Sequence, residues 1–139
     1  MTLRLYDTRS RVKRKLETLV DGEVGIYVCG ITPYSPSHIG HARQAIAFDI
    51  IVRWLRNSGY KVNHITNFTD IDDKIIAIAN DEKVHFLEVA NRNIEDYFDV
   101  MNLLNVLPAD AYPRVTETIP EIISMISRLI SSGNAYESS

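Results

Sequence analysis

Two stretches of the chain have the β-branched and aromatic residues that are typical of buried strands. The first, Glu-Val-Gly-Ile-Tyr-Val-Cys at residues 23–29, lies between Gly22 and Gly30. The second, residues 61–66, alternates between polar and apolar side chains. A short third strand is predicted at residues 3–6, followed by a basic, polar stretch over residues 8–15. The pattern therefore predicts two core strands and one peripheral strand.

Four other segments carry apolar residues at helical spacing. They are residues 40–58, 70–80, 87–104 and 115–132. In the first, which Gly59 ends, apolar residues nearly encircle the helix, so we expect it to be buried on most sides. Residues 108–113, between the last two helices, are predicted to be a loop.

Helix ends are also predicted. Thr69 or Asp70 is the expected N-cap of the second helix, where acidic residues suit the helix dipole. The last helix has a possible capping box, Thr118 with Glu121, and Pro120 in its first turns, where a missing N–H costs nothing. A cap at Thr116 is an alternative start.

The order strand, loop, long helix, strand is a βαβ pattern. It predicts an α/β fold with a parallel, Rossmann-like sheet flanked by helices. Two core strands are few for such a sheet and would leave an open edge and an uncovered apolar face. We therefore expect missing sequence or a partner chain to complete the sheet, and the chain alone to self-associate or to bind a hydrophobic dye.

Composition narrows the class of protein. With 139 residues, 45% hydrophobic and 24% charged, the chain is typical of one globular domain. No run approaches the ~18 apolar residues of a membrane span, and the first residues lack the features of a secretory signal. The single cysteine, Cys29, favours a reducing compartment, so a cytoplasmic location is expected. A net charge of −3 predicts no bulk attraction for nucleic acid, only local contacts.

The strongest candidate for chemistry is His38-Ile-Gly-His41, between the first core strand and the long helix. A helix N-terminus attracts phosphate through its free N–H groups and its dipole. His38 and His41 are three residues apart, so both imidazoles lie on one face of the first turn. Gly40 lacks a Cβ, so a flat base could approach the backbone there. Two exposed polar residues in a first turn are the alternative interpretation.

These residues and their surroundings carry a resemblance. His38-Ile-Gly-His41 is similar to the nucleotide-binding signature of class I aminoacyl-tRNA synthetases. Three flanking segments resemble the cysteinyl-tRNA synthetases among them, and the similarity runs from Leu5 to Tyr136. The segments are Gly25-Ile-Tyr-Val-Cys-Gly-Ile-Thr-Pro-Tyr34, Ala47-Phe-Asp-Ile50 and Asn67-Phe-Thr-Asp-Ile-Asp-Asp-Lys-Ile76.

The resemblance implies an activity: ATP-dependent adenylation of cysteine, with Mg²⁺, followed by transfer to tRNA. It implies that His38, Gly40 and His41 bind ATP, and that the two histidines are catalytic through electrostatic stabilisation of the α-phosphate. Cysteine would be bound by Gly30, Thr32 and Thr69. Cys29 would be a ligand of a Zn²⁺ ion that binds the substrate thiolate.

The resemblance also implies that residues 1–139 are the N-terminal half of a catalytic domain that ends near a connective insertion. The second ATP signature, Lys-Met-Ser-Lys-Ser, and the family's other zinc ligands have no counterpart in this sequence. The chain has Ser35 where the family has an aspartate. We therefore expect weak or no catalysis by the isolated chain.

Several residues have a second interpretation. Asp70, Asp72 and Asp73 could bind a hard cation, although a role at the helix terminus is the stronger interpretation. Cys29 could be an inert core residue, or could form a local zinc site with His38 and His41.

Two other sets of charges stand out. Asp49 lies in an otherwise apolar helix face, so a buried partner is expected. The basic stretch of residues 13–15 is predicted to be solvated, with an RNA contact as the alternative.

Two other functions stay open for the whole chain. One is a stand-alone, non-catalytic paralogue that binds nucleotide. The other is a part of the cysteine ligase of mycothiol synthesis, which joins cysteine to an amino sugar instead of tRNA.

Overall fold

The computed structural model describes residues 3–138; Met1, Thr2 and Ser139 lie outside it. Within this range the chain forms four strands and four helices. In chain order they are β1 (Arg4–Asp7), β2 (Val12–Lys15), β3 (Glu23–Ile31), α1 (Ile39–Asn57), β4 (Lys61–Phe68), α2 (Asp73–Glu82), α3 (Phe86–Leu103) and α4 (Ile119–Ser131). Every strand and helix predicted from the pattern is present, with ends shifted by a few residues.

The two core strands pair in parallel, with α1 as the connection between them. Val24 lies opposite Val62 and Val28 opposite Thr66, and the register shifts before Ile31 meets Phe68. Helices α1 and α3 contact each other, and α1 also packs on β4. The predicted α/β class and the parallel sheet are therefore confirmed.

The segment after α3 is a loop, as the sequence predicted, but it also pairs with β4. It runs parallel to β4, where Thr66 N donates to Ala111 O at 3.1 Å and Phe68 N donates to Pro113 O at 2.9 Å. Asp110 fixes its start, because its carboxylate accepts the His64 backbone N–H at 2.7 Å. The segment thus acts as a short third strand that covers one edge of β4. The other edge, along β3, has no partner strand among residues 3–138.

The basic stretch contains a strand, β2, that the sequence pattern did not predict. β1 and β2 make an antiparallel hairpin, with Arg4 opposite Lys15 and Asp7 opposite Val12. The turn forms because the Asp7 carboxylate accepts the backbone N–H groups of Arg9 and Ser10, each at 3.1 Å. The signal for this turn is local, but the pattern of polar and apolar residues alone does not reveal it.

The expectation that α1 is buried on most sides is wrong for the described chain. Only Ala42, Val52 and Leu55 are buried, and Ile50 is 62% exposed. One face of the helix meets the sheet and α3, and no described element covers the opposite face. Helix α4 is more exposed than α1, since none of its residues is buried and its apolar side chains are all exposed. Both helices therefore present uncovered apolar side chains. No helix within residues 3–138 is long and apolar enough to cross a membrane.

One predicted helix cap is wrong, and at a second the predicted residue is the N-cap but the capping box does not form. Asp72, not Thr69 or Asp70, is the N-cap of α2 and accepts the Lys74 backbone N–H at 2.9 Å. Thr118 is the N-cap residue of α4, but its side chain makes no capping bond, because its hydroxyl donates to Arg114 O at 2.9 Å. Pro120 does lie in the first turn of α4, as predicted.

Candidate nucleotide and amino-acid site

The loop between β3 and α1 is held in place by α3. Asn93, which is only 4% exposed, donates from Nδ2 to Pro33 O at 3.1 Å and to Val89 O at 2.9 Å. Asp96 accepts the Ser37 backbone N–H at 2.7 Å. These bonds fix the approach of the chain to His38. Sequence analysis missed Asn93 and Asp96, because their partners lie about 60 residues away and no local motif links them.

His38 and His41 together build the N-terminus of α1. The two rings stack with centroids 3.8 Å apart and planes inclined by 21°. His38 Nδ1 accepts the Gly40 backbone N–H at 3.1 Å, and His41 Nδ1 accepts the His38 backbone N–H at 3.4 Å. The pair thus forms a reciprocal capping box made of imidazoles.

This geometry fixes the tautomer of both rings. A nitrogen that accepts a hydrogen bond carries no proton, so each neutral imidazole has its N–H at Nε2. Burial, with a smaller effect from the charge of His38, lowers the pKa of His41 and so favours its neutral form. The two Nε2–H groups are donors at a helix N-terminus that already attracts anions.

Gly40 has a stricter role than allowing a base to approach. A Cβ at this position would lie 2.9 Å from His38 Cε1 and 3.0 Å from its Nδ1. Both distances are too short for an ordinary carbon contact. Any other residue would therefore displace the capping ring of His38.

The residues predicted to bind cysteine meet where β3 and β4 end. Gly30 N donates to Asn67 Oδ1 at 2.9 Å, and Asn67 Nδ2 donates to Thr69 Oγ1 at 3.4 Å. Thr69 N donates to Ile31 O at 3.0 Å, and the next residue, Thr32, begins the loop with its carbonyl bonded to a backbone N–H at 2.9 Å. Asn67, which sequence analysis did not single out, is the residue that joins these groups.

Cys29 lies beside both groups. Its thiol is free, the residue is exposed, and its carbonyl accepts Gln44 Nε2 at 2.7 Å. A small cavity of about 30 Å³, room for about one water molecule, has Cys29, Gly30, His41 and Gln44 in its wall. One residue of each predicted group therefore borders a common space at the carboxyl end of β3, where α/β sheets bind ligands.

The structure does not gather the predicted local metal site. No set of three His, Cys, Asp or Glu side chains within residues 3–138 is arranged to hold an ion. His38 and His41 use Nδ1 for backbone bonds instead of joining Cys29. A protein zinc site needs three or four ligands, so these residues alone do not fit zinc.

The acidic residues before α2 have structural partners. Asp70 is fully buried and accepts the backbone N–H of Thr116 at 3.0 Å and its hydroxyl at 2.6 Å. Asp72 caps α2. Protein donors thus occupy both carboxylates, which supports the structural interpretation over a cation site. Asp49 has two partners, since it accepts Arg53 Nε at 2.7 Å and Leu107 N at 3.0 Å, but neither is the buried partner that was predicted, because the Arg53 side chain is 42% exposed and Leu107 is half-buried.

A parallel βαβ unit with side-chain N–H donors at the N-terminus of its helix is typical of the class of α/β domains that bind nucleotides. A family model described as the class I (C) tRNA synthetase catalytic domain matches residues 15–139. The chain belongs to this family of catalytic domains, which confirms the resemblance seen in the sequence.

Curated relatives agree. The chain is 51% identical, over 97% of its length, to a cysteine–tRNA ligase of Dehalococcoides mccartyi, and 49% identical, over 99%, to one of Listeria monocytogenes. It spans about 30% of the length of these relatives. Among solved structures, a methionyl-tRNA synthetase of Mycobacterium tuberculosis in complex with methionyl-adenylate matches 66% of the chain and 18% of its own, with a TM-score of 0.60 and 29% identity.

Proposed function

We propose that the chain supplies the ATP- and cysteine-binding half of a cysteine–tRNA ligase, which adenylates cysteine with ATP and transfers it to tRNA. The observation that carries this proposal is the histidine capping box, which holds two Nε2–H donors at the N-terminus of α1. The names of the curated relatives support cysteine as substrate, and they support tRNA over an amino sugar as acceptor.

In the first step, a carboxylate oxygen of cysteine attacks the α-phosphorus of ATP, and the bond to the β-phosphate oxygen breaks to release pyrophosphate. Negative charge then increases on the α-phosphate oxygens. We assign His38 and His41 the role of donating Nε2–H bonds to phosphate oxygens as this charge develops. Their contribution in this proposal is electrostatic, and no proton is transferred. In the second step, a hydroxyl of tRNA attacks the activated carboxyl group and AMP leaves.

The cysteine would bind at the carboxyl ends of β3 and β4, beside Gly30, Thr32 and Thr69. Asn67 contacts the first and third of these residues and is a positioning residue in this proposal.

Metal ions have a limited place in the proposal. A zinc ion, where one is bound, would supply a soft partner for the substrate thiolate. Cys29 offers one exposed thiol for it, and any further ligands would come from outside residues 3–138. No step above depends on that ion. Mg²⁺ would enter with the phosphates of ATP, since Asp70 and Asp72 already serve the fold. The proposed compartment is the cytoplasm, which the single cysteine favours.

The test separates phosphate binding from helix capping. Asparagine is a strong N-cap residue, so His38→Asn keeps a capping acceptor and removes the Nε2–H donor. The chain contains a control, because His85 caps α3 with its imidazole as His38 caps α1: His85 Nδ1 accepts Leu87 N at 3.3 Å, and the reciprocal partner there is the Glu88 carboxylate. ATP affinity would be measured by calorimetry for both variants.

We expect His38→Asn to weaken ATP binding roughly tenfold or more, the value of a hydrogen bond to a charged group, and His85→Asn to leave it unchanged. Equal affinities in all three proteins would overturn the assignment of the ATP site. Cysteine-dependent ATP–pyrophosphate exchange by the 139-residue chain alone would contradict its being only half of a site.

A further inference from the structure

The β1–β2 hairpin concentrates positive charge on an otherwise acidic chain. Six of the fifteen lysine and arginine residues lie between residues 4 and 15, together with a single acidic residue, Asp7. The nine other basic residues are outnumbered by seventeen acidic ones. The hairpin also precedes nearly all of the segment that the family model matches, which begins at residue 15.

The strand register sorts these residues onto two unlike faces. Residues directly opposite each other, and alternate residues along a strand, share a face. One face, called here the basic face, consists of Arg4, Tyr6, Lys13 and Lys15. The opposite face consists of Leu5, Asp7, Val12 and Arg14.

The basic face carries charge that the described chain does not neutralise. Arg4 lies directly opposite Lys15, an arrangement of like charges that destabilises a hairpin. Arg14, on the opposite face, is 3.7 Å from the Asp7 carboxylate. No ion pair within residues 3–138 includes Arg4, Lys13 or Lys15. Arg4 Nη2 donates to the Lys13 backbone carbonyl at 3.0 Å, but a carbonyl does not neutralise its charge. The charges of this face therefore have no counter-ion among residues 3–138 and can meet an external anion.

The same face presents an aromatic ring among its cations. Tyr6 is 61% exposed and lies opposite Lys13. Cations that contact phosphates, beside an exposed ring on which a base can stack, are the combination found in proteins that bind RNA. An anionic membrane would require apolar residues beside the cations, but Leu5 and Val12 are on the opposite face.

We propose that the basic face of the β1–β2 hairpin binds the phosphate backbone of RNA, with an unpaired base stacked on Tyr6. The rest of the chain, being acidic, repels the same backbone, so contact is confined to this face. The proposed function enters only in the choice of tRNA as the RNA.

The experiment measures binding of a tRNA transcript to the 139-residue chain by fluorescence anisotropy between 50 and 200 mM salt, conditions over which phosphate contacts weaken measurably. Lys13→Gln with Lys15→Gln removes two cations from the basic face. Arg14→Gln removes one from the opposite face and is the matched control. For the double variant we expect the slope of log K against log salt to fall by roughly 0.7–0.9 per lost contact. The control should keep the slope of the original chain.

Tyr6 is tested separately. Tyr6→Ala should weaken binding by about 5- to 150-fold, the range for loss of one stacked base, and Tyr6→Phe should restore it because stacking needs only the ring. Circular dichroism would show that all variants keep the helical content of the original chain, since the substituted residues lie in strands β1 and β2.

Two results would overturn the proposal. One is tRNA binding that the double variant and Arg14→Gln change equally or not at all. The other is binding to phosphatidylserine vesicles but not to tRNA. His38→Asn distinguishes this proposal from the proposed function: it should leave tRNA binding intact, so a failed ATP test with tRNA binding retained would refute only the ATP site.

Discussion

Gly30 is the position where the structure leaves the least room for a side chain. A Cβ placed there would lie 1.6 Å from the carbonyl oxygen of Asn67, 2.8 Å from its carbonyl carbon and 3.1 Å from Thr66 Cγ2. The first two atoms belong to the backbone of β4, so no side-chain rotation can relieve the clash. Gly30→Ala must therefore separate the carboxyl ends of the two core strands.

The expected loss of stability can be worked out from the overpacking at Gly30 and from the hydrogen bonds that separation of β3 and β4 would break. Forcing extra atoms into a packed site typically costs 1–3 kcal/mol. Two hydrogen bonds at this point, Gly30 N to Asn67 Oδ1 at 2.9 Å and Thr69 N to Ile31 O at 3.0 Å, would be strained or lost, each worth about 1 kcal/mol. We therefore expect Gly30→Ala to lower the free energy of unfolding by about 3 kcal/mol or more.

Urea denaturation followed by circular dichroism would measure the change. The matched control is Gly25→Ala in the same strand, because a Cβ at Gly25 would have no atom within 4 Å. The control should be neutral or slightly stabilising, since alanine restricts the unfolded chain more than glycine does. If the two variants unfold at the same urea concentration, the close approach of β3 and β4 at Gly30 is wrong.

Two further predictions concern the pH dependence of stability and the self-association of the chain. Burial lowers the pKa of His41 and of His64 below 6.5, so below that pH the unfolded chain binds more protons than the folded one. The free energy of unfolding should then fall as the pH is lowered from 7 to 5, and His64→Asn should reduce that fall; a pH-independent stability would contradict it. Ile126→Lys, on the apolar face of α4, should reduce self-association measured by light scattering, whereas Ser127→Lys should not. If the original chain is a monomer, the predicted self-association is wrong.

Local patterns predicted the elements of this fold well because each signal lies within a few residues. The alternation in residues 61–66 became β4, and His38-Ile-Gly-His41 became the N-terminus of α1. The fold class followed, because strand, helix, strand with a parallel sheet admits few arrangements. The family resemblance likewise rests on contiguous motifs, and the comparisons confirm it.

What the patterns missed depends on contacts distant in sequence. The stretch at 110–115 has no strand pattern of its own and becomes extended only because β4 offers free backbone groups. Asn93 and Asn67 look like ordinary polar residues until the fold brings Pro33 and Gly30 to them. Asp70 was misread as a cap because its partner, Thr116, is 46 residues away. The roles of His38, His41, Gly30, Thr32, Thr69 and Cys29 in substrate and metal binding stay predictions.

The segment that contains helices α2 and α3 is held by hydrogen bonds at both of its ends. The hydrogen bonds between His64 and Asp110 and between Asp70 and Thr116 each close a loop that spans 46 residues. The two ends of this segment are thus held in place whatever its length. Closing a flexible loop costs only about 0.6 kcal/mol more for each doubling of its length. The junction between α2 and α3, at the exposed Lys83, is consequently where the chain should accept inserted residues at little cost, with the sheet and the histidine capping box undisturbed.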